Sequence, residues 1–473
     1  MTAIDDHRYQ PGYRTILDVS APLMASTASV MVMEFTDRVF LANHSVEAIS
    51  AALPAGITAF LFIAFFAGIV GYGSVFVAQY AGAGRHGDVG PILWQALWLA
   101  LAAGIATSLI ALAGEPLFSL AGHPEPVRQL EAVYFSTLMQ GAGIHVAGAA
   151  LAGFFTGLGI TRPVMMFHAV GAMVNIPLDY AVINGVGPFP VMGIHGAALA
   201  TVVSWSVVTG LLSVFVMSRE HDRRYAVRRV VWPDRSSMGR LLRYGVPSSL
   251  QLTMDILAFA YFSLMVGRIG RLELAVTNIV FSINALAFMP MLGLSVGTST
   301  LVGQCMGNRR PGDAEEVTRK SRHMAFVYLA AVAVLYLGFP GPLIDLFRPR
   351  NLPPQAYAAM RQEGILLLWM VTVYIFFDAQ YMVYVGTLKG AGDTRFIMQA
   401  VSGLSVFVMG VPLYVLVEIL DAGLMAAWAC VILYIFSLFA VSWGRFRHGR
   451  WRRIRMIDEM PPAARLPAGS KGS

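Results

Sequence analysis

The chain has 473 residues, 56% hydrophobic and only 13% charged, where a soluble globular protein carries about 25% charged residues. Water is therefore excluded as the solvent for most of its surface. The net charge of +7 gathers in loops on one side of the chain, as shown below, which excludes a nucleic-acid site.

Residues 1–15 form a polar tail, and no small-residue cleavage site follows a short apolar run, so no cleaved signal peptide is expected. Apolar blocks then recur, each near the ~20 residues needed to cross a bilayer. They predict spans at about 16–40, 50–79, 92–114, 130–157, 163–184 and 193–218, and after a basic linker (219–240) at about 241–267, 273–304, 321–346, 359–388, 396–418 and 422–443. A membrane barrel would alternate over ten-residue segments, which these blocks do not. The fold class expected is an all-α membrane protein with twelve transmembrane helices in two homologous six-helix bundles, residues 16–218 and 241–444, and a tail at 445–473. Cys305 and Cys430 are too far apart in sequence and too few for a disulfide framework or a metal motif.

Carboxylates inside spans are costly and mark function. In span one, Glu34 and Asp37 are three residues apart, close enough for their charges to couple, so that one of them binds a proton readily. In span five, Asn175 and Asp179 share a face, with Pro177 between them freeing a backbone carbonyl. In span seven Asp255 shares a face with Gln251, and in span ten Asp378 shares one with Tyr374. Oxygen ligands of this kind suit sodium, and the tyrosine ring adds a possible cation–π contact. Asp255 and Asp378 are thus the candidate metal ligands, for a coupling sodium ion.

Two registers of self-similarity run through the chain. At an offset of 225, Pro22 meets Pro247, Val77 meets Val302, Gln79 meets Gln304, Gly82 meets Gly307, Arg85 meets Arg310 and Gly87-Asp88 meets Gly312-Asp313. At 233, Gly153 to Arg162 lies over Gly386 to Arg395, and His145 falls at the place of Asp378. Six spans per half give both halves the same orientation, as in parallel-repeat transporters that alternate access to a cavity between halves. Basic residues support one sidedness. Arg38, Arg128, Arg268, Arg271, Arg348, Arg350 and Arg361 lie on one side and all other members of the 34 lie on the other, with both termini. The positive-inside rule makes that side cytoplasmic. The longest basic stretch, Arg219 to Arg243, lies where anionic headgroups would be.

Together these features resemble the multidrug and toxic compound extrusion (MATE) family over about residues 15–445. The resemblance is carried by Ser20-Ala-Pro22 and Phe35-Thr-Asp37, by Val77-Ala-Gln-Tyr-Ala-Gly-Ala-Gly-Arg85, by Gly157-Leu-Gly-Ile-Thr-Arg162, by Asn175-Ile-Pro-Leu-Asp-Tyr180, by Gly193-Ile-His-Gly196 running to Thr201, and by Lys389-Gly-Ala-Gly-Asp-Thr-Arg395. It implies an inner-membrane antiporter that exchanges sodium or protons for an organic cation, with no other cofactor and no enzymatic activity, most similar to the NorM-type branch and acting as a monomer. It implies coupling roles for Asp37 with Asp179, or for Asp255, Tyr374 and Asp378. Asp255 stands where glutamate is common, Pro54-Ala55 where Gly-Asn is, and Asn278 where Gln is. Two other readings are distinguishable. A lipid-linked precursor flippase would gather basic residues in its cavity, whereas the charges here are acidic. A membrane transferase would need clustered metal-binding acids such as paired aspartates, and Asp5-Asp6 is the one adjacent aspartate pair in the sequence.

Overall fold

A computed structural model describes residues 12–119, 123–347 and 353–457. Asp5, Asp6, Arg8, Arg348, Arg350 and the tail beyond residue 457 lie outside them. Among the described residues all regular structure is helical. The first half comprises α1 (Tyr13–His44), α2 (Val46–Gly71), α3 (Gly73–Gly82), α4 (Val89–Ala111), the short α5 (Gly114–Ser119), α6 (Glu125–Gly157), α7 (Arg162–Asn184) and α8 (Gly193–Val216). A connector carries α9 (Arg219–Tyr225). The second half comprises α10 (Arg235–Ile269), α11 (Arg271–Gly307), α12 (Pro311–Gly338), the short α13 (Pro340–Asp345), α14 (Pro354–Ala391), α15 (Thr394–Leu404), α16 (Val411–Tyr414) and α17 (Leu424–His448).

Eleven spans are long and apolar enough to cross a bilayer, and α11, bent by 45° between Ala285 and Ala287, supplies the twelfth. The chain is a multi-pass membrane protein with twelve spans among the described residues. Span two is α2 and α3 together, interrupted at Tyr72. Span eleven runs through α15 and α16 with wide π-type turns at Ser405–Gly410 and Val415–Ile419, the class of distortion that frees backbone groups for other partners. Cys430 Sγ accordingly donates to the carbonyl of Val408 at 3.4 Å. Helix starts follow from local chemistry: Ser45 caps α2 by accepting from Ala48 N at 2.9 Å, and Asp234 caps α10 by accepting from Ser237 N at 2.8 Å.

The halves meet along a seam that obeys the repeat. Gln79 Nε2 donates to the carbonyl of Gly390 at 3.0 Å, and Gln304 Nε2 donates to that of Gly157 at 3.0 Å. Each bond crosses from one half to the other, and the two exchange under the 225 and 233 registers. The glycines follow the same exchange: a Cβ on Gly82 would lie 2.0 Å from the carbonyl oxygen of Gln304, and one on Gly307 2.0 Å from that of Gln79. Only glycine allows backbones this close. Higher along the seam Gly68 packs on Ser249 and Gly293 on Met24, again repeat partners. These contacts occupy the ends of the spans nearest the arginine-rich loops. There α3 packs on α11, whereas α2, the other part of the same span, packs on α10, and both parts pack on α6.

The chain end closes over this seam. Residues 445–457, expected to begin the tail, are packed: Trp451 and Met456 are buried, and Met456 belongs to the apolar core of the first half although it follows the last helix of the second. Gln79 Nε2 and Tyr72 OH both donate to Met456 Sδ, at 3.1 and 3.8 Å. Arg445 holds Asp393 through two bonds of 2.6 and 3.1 Å, and Arg452 pairs with Glu315 at 2.7 Å.

Candidate functional site

In the first half, α1, α6 and α7 bring four polar side chains to one buried place. Asp37 is 8% and Asp179 0% exposed. Their carboxyls lie against each other, and Tyr134 OH donates to Asp37 Oδ2 at 3.2 Å. Asn175 sits one turn before Asp179 on α7 and is equally buried. Asp37 Oδ1, both oxygens of Asp179 and both amide atoms of Asn175 have no hydrogen-bond partner among the described residues. Buried polar atoms are nearly always paired, so a cluster of five unpaired ones is a candidate binding site. Two carboxylates, an amide oxygen and a phenol are hard oxygen donors that a proton or a small cation would satisfy.

Glu34 is not part of this cluster. It is exposed and faces Arg38 at 4.0 Å. Three residues on a helix advance 300°, leaving a 60° divergence, and here that angle separates a buried from an exposed side chain. Arg38 turns to Glu34 and leaves Asp37 to Tyr134.

In the second half, Asp255 accepts from Tyr434 OH at 3.4 Å through Oδ1 and from Gln251 Nε2 through Oδ2. Tyr434 also bonds Ser405 at 2.9 Å, in the first π-type turn. Asp378 faces Asp255 and has no protein donor among the described residues. Tyr374, one turn before it, is buried, stacks on Trp428 with ring centroids 6.4 Å apart, and accepts from Asn284 Nδ2 at 2.9 Å. One face of its ring is therefore covered by an indole. Asn284 Oδ1 and Gln251 Oε1 are buried without hydrogen-bond partners among the described residues, and Tyr381 lies beside Gln251 and Asp255, so Asp378 and Asn284 are the free oxygen donors here, while Asp255 is already held. Lys389 lies near the end of α14, close enough to Asp255 for the two to interact electrostatically.

His145, at the repeat position of Asp378, packs its ring on Trp205 at 4.8 Å, and nearby His168 bonds Ser26. The duplicated position thus carries an imidazole in one half and a carboxylate in the other. Tyr134, Asn284 and Tyr434 were not legible as site residues in the sequence. The only signal each offered was a polar group within an apolar block, which many membrane helices share.

The MatE family model matches residues 22–181 and again 247–416, two copies that begin at the paired prolines Pro22 and Pro247. Among relatives, a probable multidrug resistance protein NorM of Thermotoga maritima is 26% identical over 454 residues, covering 94% of each chain. One of Pseudomonas putida is 28% identical over 439 residues, covering 91% of this chain and 90% of that one. The multidrug resistance protein PmpM of Pseudomonas aeruginosa is 27% identical over 396 residues, covering 83% and 81%. The fold matches a solved structure described as the outward-facing conformation of a multidrug resistance MATE family transporter of the MOP superfamily, with a TM-score of 0.85, 21% identity and coverage of 96% and 100%. It also matches a MOP superfamily transporter from Pyrococcus furiosus described as having a binding pocket of reverse polarity, with a TM-score of 0.83, 22% identity and the same coverage.

Proposed function

The chain belongs to the MatE family of membrane transporters, and from that premise we propose that it exports small organic cations in exchange for sodium or protons bound at the buried acids of its two halves. It is a transporter and not an enzyme. The observation that carries the coupling role is the set of buried, unpartnered oxygens of Asp37 and Asp179 beside Asn175. Two such charges side by side away from water are unfavourable unless a cation or a proton lies with them. The driving force is ample, because one charge moving through 100 mV is worth about 2.3 kcal/mol.

In this reading the first half binds the coupling ion, with Asp37, Asp179 and Asn175 as ligands and Tyr134 as the donor that orients Asp37. In the second half Asp378, Asn284 and the held Asp255 form a second acidic pocket beside Tyr374, suited to sodium or to the positive group of the substrate. Ion and substrate favour different arrangements of the two halves, which is sufficient for exchange. The seam closed by Gln79 and Gln304 is then the cytoplasmic gate. The arginine-rich face is cytoplasmic and carries both termini, the membrane is the inner membrane, and the chain acts as a monomer.

The test is export of a panel of cationic dyes from everted vesicles under imposed sodium or pH gradients. Wild type accumulates dye under one gradient. Asp179→Asn and Asp37→Asn lose gradient dependence, and Asp378→Asn reduces dye affinity. Undiminished gradient-driven export in Asp179→Asn would remove the basis of this assignment.

A further inference from the structure

The connector between the halves is not slack. Side chains of α4 fix its backbone at four points: Trp94 Nε1 donates to the carbonyl of Val227 at 2.9 Å, Gln95 Nε2 to that of Trp232 at 3.0 Å and Trp98 Nε1 to that of Val231 at 3.0 Å, while Asp234 N donates to Gln95 Oε1 at 2.9 Å. The ring of Trp232 lies flat on Trp98, centroids 5.8 Å apart and planes 13° apart, yet Trp232 remains 76% exposed.

What the outer side of this stack meets follows from α4. Its exposed residues Leu112, Leu109, Ile105 and Leu101 form one stripe at helical spacing, and the next position on that stripe is Trp98. A stripe of large exposed aliphatics on a membrane span faces acyl chains, and aromatic residues at its end mark the headgroup level. Trp232 therefore stands at the boundary of the bilayer.

Around it Arg229 and Arg235 are exposed and have no acidic partner among the described residues. The nearby acids are engaged elsewhere: Asp234 caps α10, and Asp222 accepts from the backbone of Arg228 at 2.9 Å. The guanidinium of Arg228 is turned to the carbonyl of Met217 at 2.8 and 2.9 Å. Two free guanidiniums thus flank an indole at headgroup depth on a backbone that is already immobilised, so little ordering entropy opposes binding.

We propose that residues 229–235, with Trp98, form a binding site for an anionic phospholipid. Arg229 and Arg235 take the phosphate, with bidentate donors suited to it, and Trp232 packs along the glycerol and first methylenes. The inference uses only the membrane placement of α4 and does not depend on what is transported.

The test is native mass spectrometry of the full chain released from detergent with phosphatidylglycerol or phosphatidylcholine, and with inorganic phosphate as a separate arm. Wild type retains phosphatidylglycerol in preference to phosphatidylcholine. Because each basic residue at a membrane surface is worth about a fivefold factor, the double variant Arg229→Gln/Arg235→Gln loses retention by roughly 25-fold. Arg229→Lys/Arg235→Lys, which keeps the charge but not the bidentate fork, falls between wild type and the glutamine variant, which separates loss of charge from misfolding. Trp232→Ala weakens both lipids alike. The control Arg219→Gln/Arg223→Gln, on α9, leaves retention unchanged. Equal losses in the control and the double variant would overturn a localised site, as would displacement by inorganic phosphate alone at the lipid's concentration, since the lipid's apolar part would then contribute nothing.

Discussion

The seam predicts its own wedge. A methyl on Gly82 or Gly307 would lie 2.0 Å from a facing backbone carbonyl oxygen, whereas a carbon and an oxygen rest at about 3.3 Å, close to the shortest weak contact. The halves must then stand off by roughly 1 Å at each place. Overpacking of this kind costs about 1–3 kcal/mol per site, and separation also lengthens the two cross-half glutamine bonds, each worth about 1 kcal/mol. Gly82→Ala/Gly307→Ala should therefore disfavour the closed seam by about 4–8 kcal/mol, a factor of roughly a thousand or more. A reporter pair is available at Ala78 and Gly303, where a Cβ on the glycine would lie 3.0 Å from that of Ala78, near disulfide range. With Cys305 and Cys430 replaced by Ala, Ala78→Cys/Gly303→Cys should cross-link rapidly in the parent and slowly in the wedged chain. Equal rates would show that closure does not require the backbone approach, and the argument from Gly82 and Gly307 would fail.

Three further expectations can be checked separately. Asp179→Asn should leave thermal stability unchanged or raise it, because it removes a buried charge that no protein donor holds; a marked fall in melting temperature would mean that the carboxylate is structural. Arg445→Ala should destabilise the chain by about 3–5 kcal/mol by stranding the buried Asp393, and Asp393→Asn/Arg445→Ala should restore most of that in the same thermal assay. Asp234 is held below the usual carboxylate range chiefly by the backbone N–H of Ser237, so its cap is fully present above that range and is lost as pH falls through the lowered value. The protection factor of the Ser237 amide, taken against its intrinsic exchange rate at each pH, should then fall below about pH 4 and stay constant above it, and the step should vanish in Asp234→Ala.

Architecture was legible in the residues because the bilayer imposes length and apolarity on each span, and because duplication leaves paired motifs. Gln79 and Gln304 were visible as a pair, but their exchange of bonds with Gly390 and Gly157 depends on how two bodies dock, which no local pattern encodes. Asp37 and Asp179 were identified one by one from the cost of charge in lipid; their adjacency is a product of the packing of α1 on α7. Tyr134 and Asn284 were missed because one hydroxyl or amide in an apolar helix is commonplace. Met456 was missed because the arginines around it suggested a solvated tail, and a single apolar residue among charges gives no periodicity.

Met456 also has a consequence for biogenesis. It is added after every membrane-spanning helix, yet its side chain fills the interior of the half synthesised first. The core of the first half is thus completed by a residue that arrives only after the second half has been made, so the two halves mature together and not one after the other.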